Sequence, residues 1–151
     1  MLLRLVDFFN LLFAALVVGS MFGLWLGLNP SRLAAPVYIA QHQQLVLGLN
    51  VALPAMGAVA IAFTLAAAYL ARQQPARLSL LLAGAAGLIA AGLITRLFNQ
   101  PINAIMMTWA AESPPSNWEE LRDAWWSWHI ARTGAGFFGL CSVIASNLWR
   151  T

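Results

Sequence analysis

The strongest constraint on this chain is the length of its apolar stretches, which cover residues 5–28, 38–70, 78–98 and 125–148. A helix needs about 20 mostly apolar residues to cross the ~30 Å hydrocarbon core of a membrane, so each stretch is long enough. Only 9% of the 151 residues are charged, whereas a water-soluble domain carries about 25%. We therefore expect an integral membrane protein that is in contact with membrane lipid.

The connections between these stretches predict how the helices run. All are short except residues 99–117, and short connections make neighbouring helices antiparallel. We expect an all-α fold, a four-helix up-down-up-down transmembrane bundle in which residues 1–151 form a single membrane domain. Within the long connection, residues 101–110 are predicted to form a short helix with a proline in its first turn.

The basic residues are all arginines and form no run, so we expect no nucleic-acid partner. In the predicted topology both termini lie on one side, with Arg4, Arg72, Arg77 and Arg150. The other side carries Arg32, Arg96, Arg122 and Arg132, of which Arg96 and Arg132 are expected to be internal. The count is four on each side, but without the two internal arginines the terminal side has the excess, which favours cytoplasmic termini in an inner or plasma membrane.

Cofactors and partners are limited by a few further features. Cys141 is the single cysteine, which excludes an intrachain disulfide and a thiolate metal cluster. The sequence has no flavin or nicotinamide motif, and it lacks the Glu-x-x-His pairs of a di-iron bundle. We predict no cofactor. Gly19, Gly23 and Gly27 share one helix face at the small-xxx-small spacing of membrane helix contacts, which permits a homodimer.

Polar side chains within or next to the apolar stretches gather at one end of the predicted bundle. They are His42, Asn50, Arg96, Asn99, Asn103, Arg122, Trp125, His129 and Arg132. The four residues from Arg122 to Arg132 step by three or four positions, which places them on one helical stripe. The antiparallel topology brings all of these groups to the same depth, so we expect them to meet.

The cost of burying cations makes this cluster informative. An arginine at the bilayer centre costs about 2.5–3.5 kcal/mol, and no carboxylate lies within the predicted spans beside Arg96 or Arg132. We interpret the cluster as a pocket for an anionic or easily deprotonated ligand. Structural explanations stay open for single residues: the histidines could bond to loop carbonyls, and the tryptophans could form an interfacial belt.

Two segments of the cluster resemble the motifs of a known family. Residues 96–103 contain Asn-Gln-Pro-Ile-Asn, which resembles an Asn-x-Pro-Ile-Asn motif, and residues 125–133 resemble a Trp-x-x-x-His-x-x-Arg-Thr motif. Both belong to the anthrone-oxygenase-like family of small four-helix membrane proteins. The resemblance implies oxygenation of anthrones to anthraquinones, and it marks Asn99, Pro101, Asn103, His129 and Arg132.

The leading hypothesis is a membrane-embedded oxygenase that acts on a lipophilic, acidic phenol, anthrone or quinol. His129 or His42 would remove a proton as the catalytic base. Arg132, Asn99 and Asn103 would hold the resulting anion, and Arg96 and Trp125 would complete the substrate-binding site.

Two other functions remain open. His42 and His129 could together bind haem iron or a copper ion, or the pocket could hold a quinone, so that the protein would be a membrane redox module. Alternatively, the protein is an accessory membrane protein without catalysis, and its polar cluster binds lipid headgroups or a partner.

Overall fold

The computed structural model describes residues 1–149, and all regular elements in that range are helical. They are α1 (Leu2–Gly27), a 3-10 turn (Pro30–Arg32), α2 (Ala35–Leu49), α3 (Ala52–Leu70), α4 (Pro75–Ile94), a π-helical turn (Thr95–Asn99), α5 (Gln100–Met106) and α6 (Trp118–Leu148). The predicted all-α fold is confirmed. Arg150, used above for the orientation, lies outside the described residues.

Three helical segments are long and apolar enough to cross a membrane: Leu2–Arg32, Ala52–Leu70 and Pro75–Met106. This agrees with the prediction of a membrane protein. Helix α6 has 31 residues but is not among the three. Several of its polar residues, including Arg132 and Ser146, are buried, whereas Ile130, Phe138 and Ile144 are exposed. Arg132 and Ser146, which lower the hydropathy of α6, therefore point inward.

The four long helices pack around a common core: α1 and α4 each contact both α3 and α6. Glycines allow α4 and α6 to touch. A Cβ atom on Gly87 would lie 2.7 Å from the backbone nitrogen of Gly139. The predicted glycine face of α1 behaves differently, since a Cβ on Gly19, Gly23 or Gly27 meets no described atom within 4 Å. Close packing inside the chain is thus provided by glycines of α4 and α6.

The prediction of one continuous helix over residues 38–70 is wrong, because the chain breaks around Asn50. Helix α2 ends one residue before Asn50, and α3 begins two residues after it. Pro54 has no N–H to bond the Asn50 carbonyl, and its ring crowds that carbonyl. The Asn50 carbonyl instead accepts from Gln100 Nε2 at 3.4 Å. The end of α2 is thereby connected to the start of α5 at the break.

The third span continues beyond the end predicted for it. A short helix was expected at 101–110, separate from the span; the structure has α5 joined to α4 through the π-helical turn. Pro101 cannot donate to the Leu97 carbonyl. In the wider turn the Gln100 N–H bonds to the Thr95 carbonyl, which leaves room for the proline ring. The polar residues on both sides of Pro101 therefore stay on one continuous helical segment.

The arginines are distributed differently from the prediction. Arg77 is 1% exposed, and its Nη2 lies 2.6 Å from Oδ1 of the buried Asp7, so it is not a surface charge. Arg96, expected to be internal, is exposed. The exposed arginines among residues 1–149 are Arg4 and Arg72 towards the termini and Arg32 and Arg96 at the other end. Orientation in the membrane stays a prediction.

Candidate functional site

A cavity of about 270 Å³ lies between the helices. Most of its wall is apolar and comes from α1, α3 and α4, with side chains such as Val17, Met21, Ile61 and Leu88. One end is polar and is lined by His42, Asn50, Arg96, Gln100, Asn103, Trp125 and Arg132. Five of the seven residues that the sequence predicts for the site, His42, Asn103, Trp125, Arg132 and Arg96, therefore share one cavity.

Asn103 is the centre of the polar end. Its Oδ1 accepts from the indole Nε1 of Trp125 at 2.7 Å and lies 3.1 Å from His42 Nε2. Its Nδ2 donates to Asn50 Oδ1 at 3.0 Å. Because an indole N–H can only donate, the amide oxygen must face Trp125. The same oxygen then requires a donor from His42, so the proton of neutral His42 is on Nε2.

The basic nitrogen of His42 is therefore Nδ1. It lies 3.4 Å from the hydroxyl oxygen of Tyr38, four residues earlier in α2. That hydroxyl has a second acceptor, the sulfur of Met106 at 3.6 Å. Both contacts are long. His42 lines the cavity, and the lone pair of its Nδ1 faces the hydroxyl of Tyr38, which does not line it.

Arg132 brings a cation to the same end of the cavity. Its side chain is 8% exposed, and it has no carboxylate partner in the described part of the chain. Its Nη1 donates to Thr95 Oγ1 at 3.3 Å, and its guanidinium carbon lies 5.7 Å from the Trp125 ring centroid. These neutral partners hold the guanidinium in place without cancelling its charge.

His129 lies behind this wall instead of on it. The residue is 0% exposed, and it does not line the cavity. Nε and Nη2 of Arg132 lie 3.2 and 2.9 Å from His129 Nδ1. Since arginine can only donate, Nδ1 is the accepting nitrogen and Nε2 carries the proton. Nε2 is near the backbone of Met21, but it forms no hydrogen bond that meets the geometric criteria.

Two other members of the predicted cluster lie off the cavity. Asn99 is 0% exposed and donates from Nδ2 to the Trp125 carbonyl at 3.1 Å, so it joins the π-helical turn to α6. Arg122 pairs with Asp123, with Nε to Oδ1 at 2.8 Å, and lies over the Trp118 ring. The structure thus gives Asn99 and Arg122 contacts within the helices and no contact with the cavity.

Arg96 occupies the edge of the cavity. It is exposed, and its Nη1 donates to Gln100 Oε1 at 3.1 Å. Gln100 in turn reaches the Asn50 carbonyl at the break between α2 and α3. A chain of polar contacts therefore crosses the rim, with the Arg96 guanidinium at its outer end.

The two histidines proposed as shared ligands of a metal or haem iron both pack against Trp125. The Trp125 ring stacks on His129 at 5.2 Å between centroids and meets His42 edge-on at 4.8 Å, so the indole is packed against both imidazoles. The residues that the structure describes contain no group of three or more His, Cys, Asp or Glu side chains placed to hold a metal ion.

Sequence reasoning missed three residues of the site. Tyr38 faces His42, Thr95 accepts from Arg132, and Gln100 connects Arg96 with Asn50. The spacing of Tyr38 and His42, one helical turn apart, is a signal for the first. Thr95 and Gln100 are placed by the π-helical turn, which the sequence pattern does not reveal.

These features define a helical membrane protein with an apolar cavity that ends in an unneutralised arginine and a neutral histidine. Residues 45–142, more than half of the chain, match the family model described as anthrone oxygenase. The chain belongs to the anthrone oxygenase family. Asn103, Trp125 and Arg132 lie inside the matched region, and His42 lies just before it. No curated protein and no solved structure matches the chain.

Proposed function

We propose that this protein is a membrane oxygenase that takes up a lipophilic, weakly acidic aromatic compound of the anthrone type and holds it as an anion at Arg132. The observation that carries the proposal is the guanidinium of Arg132, 8% exposed, at the end of an apolar cavity and with no carboxylate partner among residues 1–149. Membership of the anthrone oxygenase family supports oxygenase-like chemistry.

Arg132 selects for an anion because its buried guanidinium is only weakly hydrated. A buried cation without a counter-ion is costly, and a ligand that becomes negative beside it recovers much of that cost. Thr95 and His129 fix the direction of the guanidinium before the ligand arrives. Such preorganised donors stabilise an enolate or phenolate more strongly in an apolar cavity than in water.

His42 is the base in this proposal. Its Nε2–H is fixed by Asn103. Its Nδ1 can take a proton once the Tyr38 hydroxyl turns from Nδ1 to the sulfur of Met106. After it takes a proton from the ligand, the imidazolium keeps its Nε2–H bond to Asn103. Asn103 and Trp125 therefore orient the ring in both protonation states.

His129, which the sequence offered as the other base, acts in the proposal as a positioning residue. Its lone pair is already used by Arg132, and its remaining nitrogen carries a proton and does not line the cavity. Asn99 has a similar role through the Trp125 carbonyl.

The reaction balances with anthrone and dioxygen alone. Loss of a proton from the CH₂ carbon gives an enolate, and that carbon forms a bond to one oxygen atom of O₂. The peroxide takes up the proton from His42. Loss of the second C–H proton and cleavage of the O–O bond then give the new carbonyl group and water. The carbon loses four electrons and O₂ gains four, so anthraquinone and water form in equal amounts.

We also propose how the chain sits in the membrane. Helix α1, the α2–α3 pair, the α4–α5 segment and α6 each cross the bilayer in alternating directions, with both termini in the cytoplasm. The exposed apolar side of α6 supports its crossing. Reporter fusions at the two ends test this directly, since both must report the cytoplasm; reporters on opposite sides would exclude it.

The test of function uses purified protein in liposomes supplied with anthrone. For the wild type we expect anthraquinone formation with equal O₂ consumption. Arg132→Gln should lower kcat/KM by about 10²–10³-fold, the usual effect of losing one oxyanion donor. Arg72→Gln is the matched control, because Arg72 is exposed and contacts Tyr69 away from the cavity. Turnover no faster than in protein-free liposomes would favour the accessory, non-catalytic function.

A further inference from the structure

The cavity has an opening in its wall, and the exposure of its lining residues locates it. Most lining residues are buried or half-buried; the exposed ones are Pro54, Ala58, Gly92 and Arg96. The first two belong to α3, and the last two to α4 and the π-helical turn that follows it. The opening therefore lies between α3 and α4.

The opening lies on the membrane-facing side of the helices. Both edges belong to segments long and apolar enough to cross a membrane, Ala52–Leu70 and Pro75–Met106. The helices α3 and α4 are joined by residues 71–74 and pack on each other. Gly92 and Ala58 lie on the parts of α4 and α3 remote from that connection.

Gly92 has no structural reason to be glycine. A Cβ atom there would meet no described atom within 4 Å, and none of the glycines in the described range has a positive φ. This differs from Gly87, one turn and a half earlier in α4, where a Cβ would touch the α6 backbone. A larger side chain at position 92 would extend from an exposed residue of the cavity lining, and its Cβ would not touch α6.

The polar rim gives the opening a preference for one kind of ligand. Arg96 presents an exposed guanidinium at the edge, and Arg132 presents a buried one inside. A flat apolar ring system with one acidic group suits this arrangement. Its ring would contact the apolar wall, and its acidic oxygen would move from Arg96 to Arg132.

We infer that the gap between α3 and α4 is a lateral portal through which a membrane-dissolved aromatic acid enters the cavity, and that Gly92 keeps it open. The inference rests on the proposed function for the class of ligand. It does not depend on the oxygenation step, because entry precedes chemistry.

The test measures ligand entry without turnover. The protein, with the tryptophans other than Trp125 replaced by phenylalanine, is mixed rapidly in liposomes with 1,8-dihydroxyanthraquinone, and quenching of the Trp125 fluorescence reports arrival in the cavity. In Gly92→Phe we expect the association and dissociation rates to fall together by about tenfold, with little change in affinity. Ala58→Phe narrows the same gap from α3 and must act in the same direction. Ala58→Phe also tests the portal if Gly92→Phe is poorly folded.

Gly19→Phe is the matched control, since Gly19 is an exposed glycine of α1 with equally open surroundings, and its binding rates must equal those of the wild type. Unchanged rates in both portal variants would rule the portal out. So would a weaker affinity at an unchanged association rate, because residue 92 would then act inside the cavity. Absence of binding to the wild type also contradicts the portal. Normal entry without anthrone oxidation contradicts only the proposed chemistry.

Discussion

Arg132 directs two of its nitrogens, Nε and Nη2, at a single nitrogen of His129, at 3.2 and 2.9 Å. This relationship determines what each residue can do. The histidine cannot accept a proton at Nδ1 while it accepts from Arg132, and the guanidinium cannot rotate freely. The remaining nitrogen, Nη1, donates to Thr95 Oγ1, and the arginine lines the cavity.

Replacement of His129 tests its positioning role. His129→Ala should lower kcat/KM for anthrone by about 10–100-fold, the range found for outer-shell partners of a bound ion. His129→Gln should recover most of the loss, since its amide oxygen can accept from Arg132. The measurement is steady-state oxidation in liposomes. An inactive His129→Gln together with an active His42→Gln would make His129 the base.

Replacement of His42 should affect the chemical step. We expect His42→Gln to lower kcat by about 10²-fold or more, as is usual for loss of a general base. Binding of 1,8-dihydroxyanthraquinone should change much less, because the cavity wall and Arg132 remain. Equal losses in kcat and in ligand affinity would show that His42 contributes to binding and not to proton transfer.

The protonated nitrogens of the two histidines can be observed. The chain has two histidines, so ¹⁵N labelling of histidine gives spectra of these two rings alone. We expect both to be neutral with the proton on Nε2. Trp125→Phe removes the donor that fixes Asn103, so His42 should become a mixture of tautomers. Trp128→Phe is the control, because Trp128 stacks on Phe98 away from the cavity.

A change at the contact between α4 and α6 should affect stability strongly. Gly87→Ala places a methyl group 2.7–2.8 Å from α6 backbone atoms, and such overpacking costs about 1–3 kcal/mol. Gly19→Ala adds the same methyl group in open space and should leave stability nearly unchanged. Unfolding in detergent, followed by circular dichroism, compares the two. Equal stability would contradict the close approach of α4 and α6.

Much of this fold and site is readable from the sequence. Apolar length predicts the membrane helices, and a stripe of residues three or four apart places Trp125 and Arg132 on the inner side of α6. The family resemblance and the helix ends bring His42 and Asn103 to the same cavity. The all-α fold and three helices of membrane-spanning length are confirmed, because the period of the helix and the length of a span are fixed quantities. The roles of the residues that share the cavity stay predictions.

The remainder depends on effects that a hydropathy pattern does not contain. The break at Asn50 and the π-helical turn before Pro101 both arise where a proline removes one backbone hydrogen bond. The donor that replaces it at Asn50, Gln100 Nε2, and the shifted bond from the Gln100 N–H to the Thr95 carbonyl are known only from the fold. The burial of Arg77 depends on its partner Asp7, 70 positions away. Arg96 lies in the π-helical turn, so its exposure could not be read from the helical spacing.

A bound anion beside Arg132 is the central requirement of the proposed function. Visible absorption of 1,8-dihydroxyanthraquinone distinguishes the phenol from the phenolate. At a pH where the free dye is a phenol, binding to the wild type should produce the phenolate spectrum. Arg72→Gln should give the same spectrum, and Arg132→Gln should not. A dye that stays a phenol in the wild type, or becomes a phenolate equally well without Arg132, would contradict the account.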